Sequence, residues 1–318
     1  MSAFAWTGQL LGTLLAIALA PLLAGWVAQC RAWLQNRSAP SLLLPYRSLR
    51  KLLRKDAALA TNASPLFRSA PYLVFGSMTM AAAIIPSVTT DLPMARVADA
   101  IALVGLFALA RVFIALAAMD IGTVFGSMGA RRDMMIGFLA EPALLMVLFN
   151  AFLMFGSTAL PSVAEGVPLD GNGLVLHPSL AFAGVAFVMV LLAENGRIPI
   201  DNPTTHLEVT MIHEAMLLEY SARHLALMEW AAWLKLLNYA CIGFVLFMPW
   251  GIALHGAGIC WLLLAVVLLI AKLALAGAAL AAIETVSAKV RLFRAPEFLS
   301  MAFLLGVLGL LVNLLLRS

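Results

Sequence analysis

The chain has 318 residues, 63% of them hydrophobic and 11% charged, with a mean hydropathy of +1.00 and a formal net charge of +4. That balance excludes an ordinary soluble domain, and the absence of an aromatic-interleaved basic patch leaves nothing to suggest nucleic-acid binding. The apolar stretches are mixtures of Leu, Ala, Val, Ile, Met and Phe without alternating polarity, which points to membrane helices and away from a barrel.

A helix needs about 20 apolar residues to cross a hydrocarbon core. Such runs are predicted, in chain order, at Phe4–Gln29, Pro71–Val88, Val97–Met119, Met134–Phe155, Ser179–Ala193, Leu225–Trp250, Gly258–Ile283 and Phe298–Leu316. The expected fold is all-α, a polytopic membrane protein with about eight transmembrane helices in a single domain over 1–318. No basic segment precedes the first run, and Pro21 directly after Ala18-Leu19-Ala20 hinders signal-peptide cleavage, so that run reads as a retained helix.

The first connection carries an amphipathic segment, Tyr46–Lys55. Arg47, Arg50, Lys51 and Arg54 recur with helical spacing on one face, opposite Tyr46, Leu49 and Leu53. It suits an interfacial helix with its cations toward headgroups or a docked partner; a basic loop serving topology alone fits as well. Fifteen of the 20 Lys and Arg fall in the odd-numbered connections, against Arg96 and Arg317 opposite. The positive-inside rule then puts those connections in the cytoplasm and both termini outside; the expected location is the cell's inner membrane. The connection Gly156–Pro178 reads as a passive outer loop.

The fifth connection, 194–224, is unlike the rest: it holds Glu194, Arg197, Asp201, His206, Glu208, His213, Glu214 and Glu219. Glu194 and Arg197 are spaced for an ion pair on one helix face. Pro199 stops that helix, and a second is expected from Asn202, with Pro203 at its first position and Thr205 to Glu208 as a capping box. On it Glu208, Ile212, Ala215 and Glu219 would share a face, placing two carboxylates where proton exchange near neutral pH becomes feasible, although acids that merely solvate a cytoplasmic helix fit any one of them as well. His213-Glu214 opens like HExxH, but Leu217 stands at the fifth position, so the zinc-protease motif fails, and no metal site is expected.

Seven further charges stand at or near membrane depth: Arg111, Asp120, Glu141, Glu229, Lys235, Lys272 and Glu284. Each costs roughly 2.5 kcal/mol or more near the bilayer centre, so such residues line a hydrated path or pair with one another. Lys235, Asp120 and Glu284 suit static pairing or snorkelling; Arg111, Glu141 and Lys272, the deepest, suit a proton path. Cys30, Cys241 and Cys260 are scattered without a CxxC pair, so neither an iron–sulfur cluster nor a structural zinc is expected on this chain.

The run Ala193-Glu194-Asn195-Gly196-Arg197-Ile198-Pro199-Ile200-Asp201, with Glu219-Tyr220-Ser221 downstream, resembles the signature of the complex I H subunit. It is closer still to the equivalent membrane subunit of group-4 nickel–iron hydrogenases, of the formate hydrogenlyase and hydrogenase-4 type. Pro45-Tyr46-Arg47, Asp120-Ile121-Gly122, Gly129-Ala130-Arg131, Glu141-Pro142, Lys272, and Glu284 with Lys289-Val290-Arg291 extend the likeness over nearly the whole chain.

The resemblance implies eight helices, a cytoplasmic cavity built partly by the first and fifth connections, and docking of hydrogenase-like large and small subunits beside antiporter-like membrane subunits. Iron–sulfur clusters and a nickel–iron (NiFe) site would lie on those partners, and a quinone would enter the cavity if it works as in complex I. By position, Glu194, Arg197, Asp201, Glu208 and Glu219 would line the cavity and Glu141 would begin the membrane side. Thr204 and His206 depart from the relatives, which place acids there, and His206 can titrate in a carboxylate's stead. The leading expectation is a non-catalytic anchor and coupling subunit that links electron transfer to proton or sodium movement. A quinone-site subunit of an NADH-quinone-type dehydrogenase and a stand-alone ion transporter are the alternatives.

Overall fold

The computed structural model describes residues 3–94, 99–166, 178–201, 212–254, 256, 258–287 and 294–317. The elements are α1 (Ala3–Leu34), α2 (Leu44–Leu53), α3 (Pro65–Ile84), α4 (Ala100–Asp120), α5 (Val124–Phe155), α6 (Leu160–Glu165), α7 (Pro178–Glu194), α8 (His213–Leu217), α9 (Ala222–Phe247), α10 (Ile259–Val286) and α11 (Ala295–Arg317). Among the described residues β pairing is confined to an isolated bridge between Thr89 and Ala253. Six helices, α1, α4, α5, α9, α10 and α11, are long and apolar enough to cross a membrane by length and composition. α7 has only 17 residues and α3 opens with Pro65, Arg68 and Pro71, yet α7 packs on α5 and α11, and α3 on α4 and α9.

Contacts between helix ends sort into two faces. On one, Arg31 near the end of α1 meets Glu284 near the end of α10, Asp120 closing α4 accepts from Ser64 N before α3, and Tyr220 before α9 donates to Phe67 O. On the other, Ala253 after α9 bonds Val88 and Thr90 after α3. On that face too, Asn313 near the end of α11 bonds Asn150, which donates to Ser179 at the start of α7. The eight long helices therefore reverse direction in turn, as eight apolar runs demand.

Two expectations need correction, and a third lies partly outside the described residues. α5 begins at Val124, ten residues before the expected Met134, because hydropathy marks the bilayer-crossing part of a helix while the helix continues wherever nothing breaks it. Its extension packs closely through glycines: a Cβ on Gly126 would lie 2.6 Å from Ala118 O, and one on Gly129 2.9 Å from Ile212 O. The connection 156–178 is not passive throughout, since α6 buries Leu160, Val163 and Ala164 against the bundle. The second helix of the fifth connection is described only from His213 and ends at Leu217; 202–211 lie outside the described residues.

Pro21 sits inside α1 and lacks the N–H that would bond the carbonyl of Ile17. In an apolar surround an unpaired carbonyl is costly, and Trp230 Nε1 of α9 donates to it at 2.9 Å. The Tyr46 hydroxyl of α2 donates to the next carbonyl, Ala18 O, so α2 lies back along α1 with Leu49 buried and Leu42 O against Gly25. Gly25 leaves no room for a side chain. Gly25→Val should displace α2 and lower the thermal unfolding midpoint in detergent, at about 1–3 kcal/mol of overpacking cost; an unchanged midpoint would contradict this packing.

Candidate functional site: a buried charge network

α7 ends on Glu194 because Gly196 adopts φ +56°, with Gly196 N bonded to Ala193 O at 3.2 Å and Arg197 N to Leu192 O at 2.9 Å. This paired closure is the Schellman turn, which glycine enters without Cβ strain. It separates the two side chains expected to pair along one helix face. Glu194 turns into the bundle, 2% exposed, where its Oε2 accepts from Arg111 Nη2 and from Lys235 Nζ at 2.9 Å. Lys235 also donates to Glu194 O at 2.7 Å. Arg197 instead reaches Glu284 at 3.2 Å, whose other oxygen faces Arg31 at 3.5 Å.

Arg111 is the hub. From α4 its guanidinium meets Glu194 of α7, Glu141 of α5 at 2.7 Å and Asp133 of α5 at 3.5 Å. Gly137 makes the space: a Cβ there would collide with the guanidinium. Arg111 and Lys235 thus face three carboxylates, of which Asp133 and Glu194 are buried and Glu141 is 32% exposed. Tyr239 of α9 is buried in the same electrostatic neighbourhood and stacks on Phe107 of α4 at 4.9 Å. At the rim, His213 Nδ1 of α8 faces the second oxygen of Asp133 at 3.4 Å.

Asp133 is the member that sequence reasoning missed. It follows Arg131 and Arg132 in what reads as a topology loop, and only the early start of α5 puts it on a helix two turns before Glu141. The available signal was its spacing from Glu141, an acid eight residues on, which lies about 80° round the same helix and so within one half of its surface.

The remaining expected residues lie elsewhere. Asp201 is buried and accepts from Ile212 N at 3.2 Å, tying the two described ends of the fifth connection. Glu214 and Glu229 are electrostatic neighbours beside α8 and α9. Ile212 and Ala215 are buried but Glu219 is exposed past the end of α8, so Glu219 does not share their face; His206 and Glu208 lie outside the described residues. Asp120 caps the start of α3 through Ser64 N at 3.0 Å. Beside it Tyr220 is buried, and burial first, then Asp120, pushes its hydroxyl pKa up.

Lys272 does not join the Arg111 network. Its ammonium donates to Met248 O at 2.6 Å and to Trp250 O, and stands 4.3 Å over the Trp250 ring. A cavity of about 10 Å³ beside it, lined by Ser87, Cys241, Phe244 and Leu269, has room for about one water. Arg47, Arg50, Lys51 and Arg54 are all exposed on α2. Among the described residues no three His, Cys, Asp or Glu side chains are grouped to hold a metal ion.

The family model for NADH dehydrogenase matches residues 8–315. The chain belongs to the NADH dehydrogenase family. Within it, this family member is 35% identical to formate hydrogenlyase subunit 4 of Escherichia coli (strain K12) over 292 residues, 91% of this chain and 92% of that one. It is 33% identical to hydrogenase-4 component C of the same organism over 233 residues, covering 73% and 72%. Its fold matches a chain of the membrane-bound sulfane sulfur reductase, an archaeal respiratory membrane complex, with TM-score 0.82, covering 97% and 99% at 17% identity. The all-α membrane architecture expected from the apolar runs is therefore the one this NADH dehydrogenase family chain adopts, shared with a chain of a respiratory membrane complex.

Removing the hub of the network leaves three carboxylates beside a single lysine. Arg111→Gln should cost about 3–5 kcal/mol, the scale of an orphaned buried charge, read as loss of membrane accumulation or of thermal midpoint. Adding Glu194→Gln should recover part of it; no recovery would show that Arg111 acts through packing alone.

Proposed function

We propose that the chain is the membrane anchor and coupling subunit of a complex I-like, hydrogenase-type complex, linking electron transfer in a soluble arm to proton or sodium movement. The carrying observation is the network around Arg111: five charges from four helices held inside an apolar bundle, at the end of the bundle from which the acidic connection leaves. Charges kept at such cost mark ion routes and coupling elements in membrane proteins. The named relatives are subunits of formate hydrogenlyase and of hydrogenase-4, which supports the hydrogenase type.

In this reading the face bearing α2 and α8 is cytoplasmic, both termini lie outside, and the chain sits in the inner membrane. Hydrogenase-like large and small subunits dock on that face, with Arg47, Arg50, Lys51 and Arg54 at its edge, and antiporter-like subunits adjoin the bundle. In this reading the iron–sulfur clusters and the nickel–iron site belong to the partners. Glu141, the most exposed carboxylate of the network, takes the proton on the membrane side.

Two measurements test this. Purification in mild detergent should carry iron–sulfur and nickel–iron subunits along, whereas a chain that purifies alone and transports ions in liposomes refutes the coupling role. In the reconstituted complex, Glu141→Gln should lower proton translocation by about tenfold or more while electron transfer changes little, the loss following from removal of a positioned proton carrier; unchanged pumping would remove Glu141 from the route.

A further inference from the structure

The described network does not balance. Arg111 and Lys235 carry two positive charges, while Asp133, Glu141 and Glu194 carry three negative ones when ionised. A net charge in a low-dielectric interior is strongly disfavoured, so the set takes up one proton. Arg111 cannot yield one, because a guanidinium stays protonated throughout. Glu194 is held ionised by its two cations.

Of the groups that remain, Asp133 is buried, whereas Glu141 and His213 are each about a third exposed and so are placed to exchange that proton. Glu141 is partly exposed and accepts from Arg111. His213 lies at the rim: its Nδ1 is buried without a hydrogen-bond partner and faces Asp133 Oδ1 at 3.4 Å, while a third of the side chain is exposed. Asp133 Oδ2 faces Arg111 Nε at 3.5 Å, and that N–H too is buried without a hydrogen bond. Asp133 thus stands between two donors, both a few tenths of an ångström beyond full bonding, and can close on one or the other.

We propose that the network holds one exchangeable proton with two seats, Glu141 inside the bundle and His213 at the aqueous rim, and that Asp133 switches between Arg111 and His213 as the proton changes seat. With the proton on His213, the imidazolium draws Asp133 and leaves Arg111 to hold Glu141 ionised. With the proton on Glu141, neutral His213 releases Asp133 to Arg111. Both states are neutral; a proton on both seats or on neither leaves one net charge buried. His213 therefore exchanges the proton with water and the interior receives it, one at a time.

Further charges lie around His213. On α8 itself Glu214 is adjacent and interacts with Glu229 of α9. Across the connection Asp201 binds Ile212 N, the residue before His213, and the ring abuts Gly196, which carries no charge. From α5, Arg131 and Arg132 precede Asp133.

The inference rests on the coupling reading above, and one experiment separates the two. Whole complexes carrying His213→Asn, His213→Arg, Asp133→Asn or Glu141→Gln are reconstituted in liposomes, and protons moved per electron are followed across the range in which histidine titrates. His213→Asn and Asp133→Asn should each lower that ratio by about tenfold or more and flatten its pH dependence, with electron transfer within about twofold. His213→Arg, which keeps a cation against Asp133 and so preserves the contact, should assemble and lose pumping equally. Wild-type pumping and pH profile in His213→Asn or His213→Arg would overturn the two-seat proposal. Loss in Glu141→Gln alone would overturn it and leave coupling intact, whereas unchanged pumping in all four would overturn the coupling role itself.

Discussion

The guanidinium of Arg111 is the constraint on which the rest of the bundle depends. A single cation at this depth would cost several kcal/mol, and it is tolerated because carboxylates arrive from two other helices. Each arrival sets a condition on its helix. α7 must stop at Glu194, α5 must run early enough to bring Asp133, and residue 137 must be glycine. α9 then adds Lys235, without which Glu194 would have one partner fewer.

A second centre, Glu284, complements the first. Its side chain is 1% exposed and joins Arg31 of α1 to Arg197 just past α7, so α10 is held to the end of α7 by charge where apolar packing alone would let it slide. The fifth connection is consequently pinned on both sides: Arg197 to α10 as it leaves, Asp201 to Ile212 and His213 to α5 as it returns. Anything that pulls on this connection from the aqueous side acts on both centres at once.

Much of this fold was legible in the sequence. Each of the eight apolar runs falls on a helix of 17 residues or more, six of them long and apolar enough to cross a membrane, because a hydrocarbon core imposes length and composition. Helix ends were less legible: the extra turns of α5 are polar and α6 is short, and hydropathy sees neither. The site was half legible. Arg111, Glu141 and Glu194 stand out as charges in apolar runs, but spacing along the chain says nothing about partners from other helices, so the Glu194–Arg197 pair was expected where two separate pairs exist. Lys272 looked like a companion of Arg111 by depth alone, whereas its three-dimensional neighbours are carbonyls and a tryptophan ring.

The proline in α1 has a consequence for how this chain can vary. Pro21 frees the carbonyl of Ile17, and Trp230, more than two hundred residues away in α9, supplies the donor. Neither residue is useful without the other: an ordinary residue at 21 would occupy that carbonyl itself, and a tryptophan at 230 would then bring an N–H with nothing to bond. The two positions therefore act as one structural unit, in which changing either deprives the other of its purpose, and a break in the helix serves as the fastening between α1 and α9.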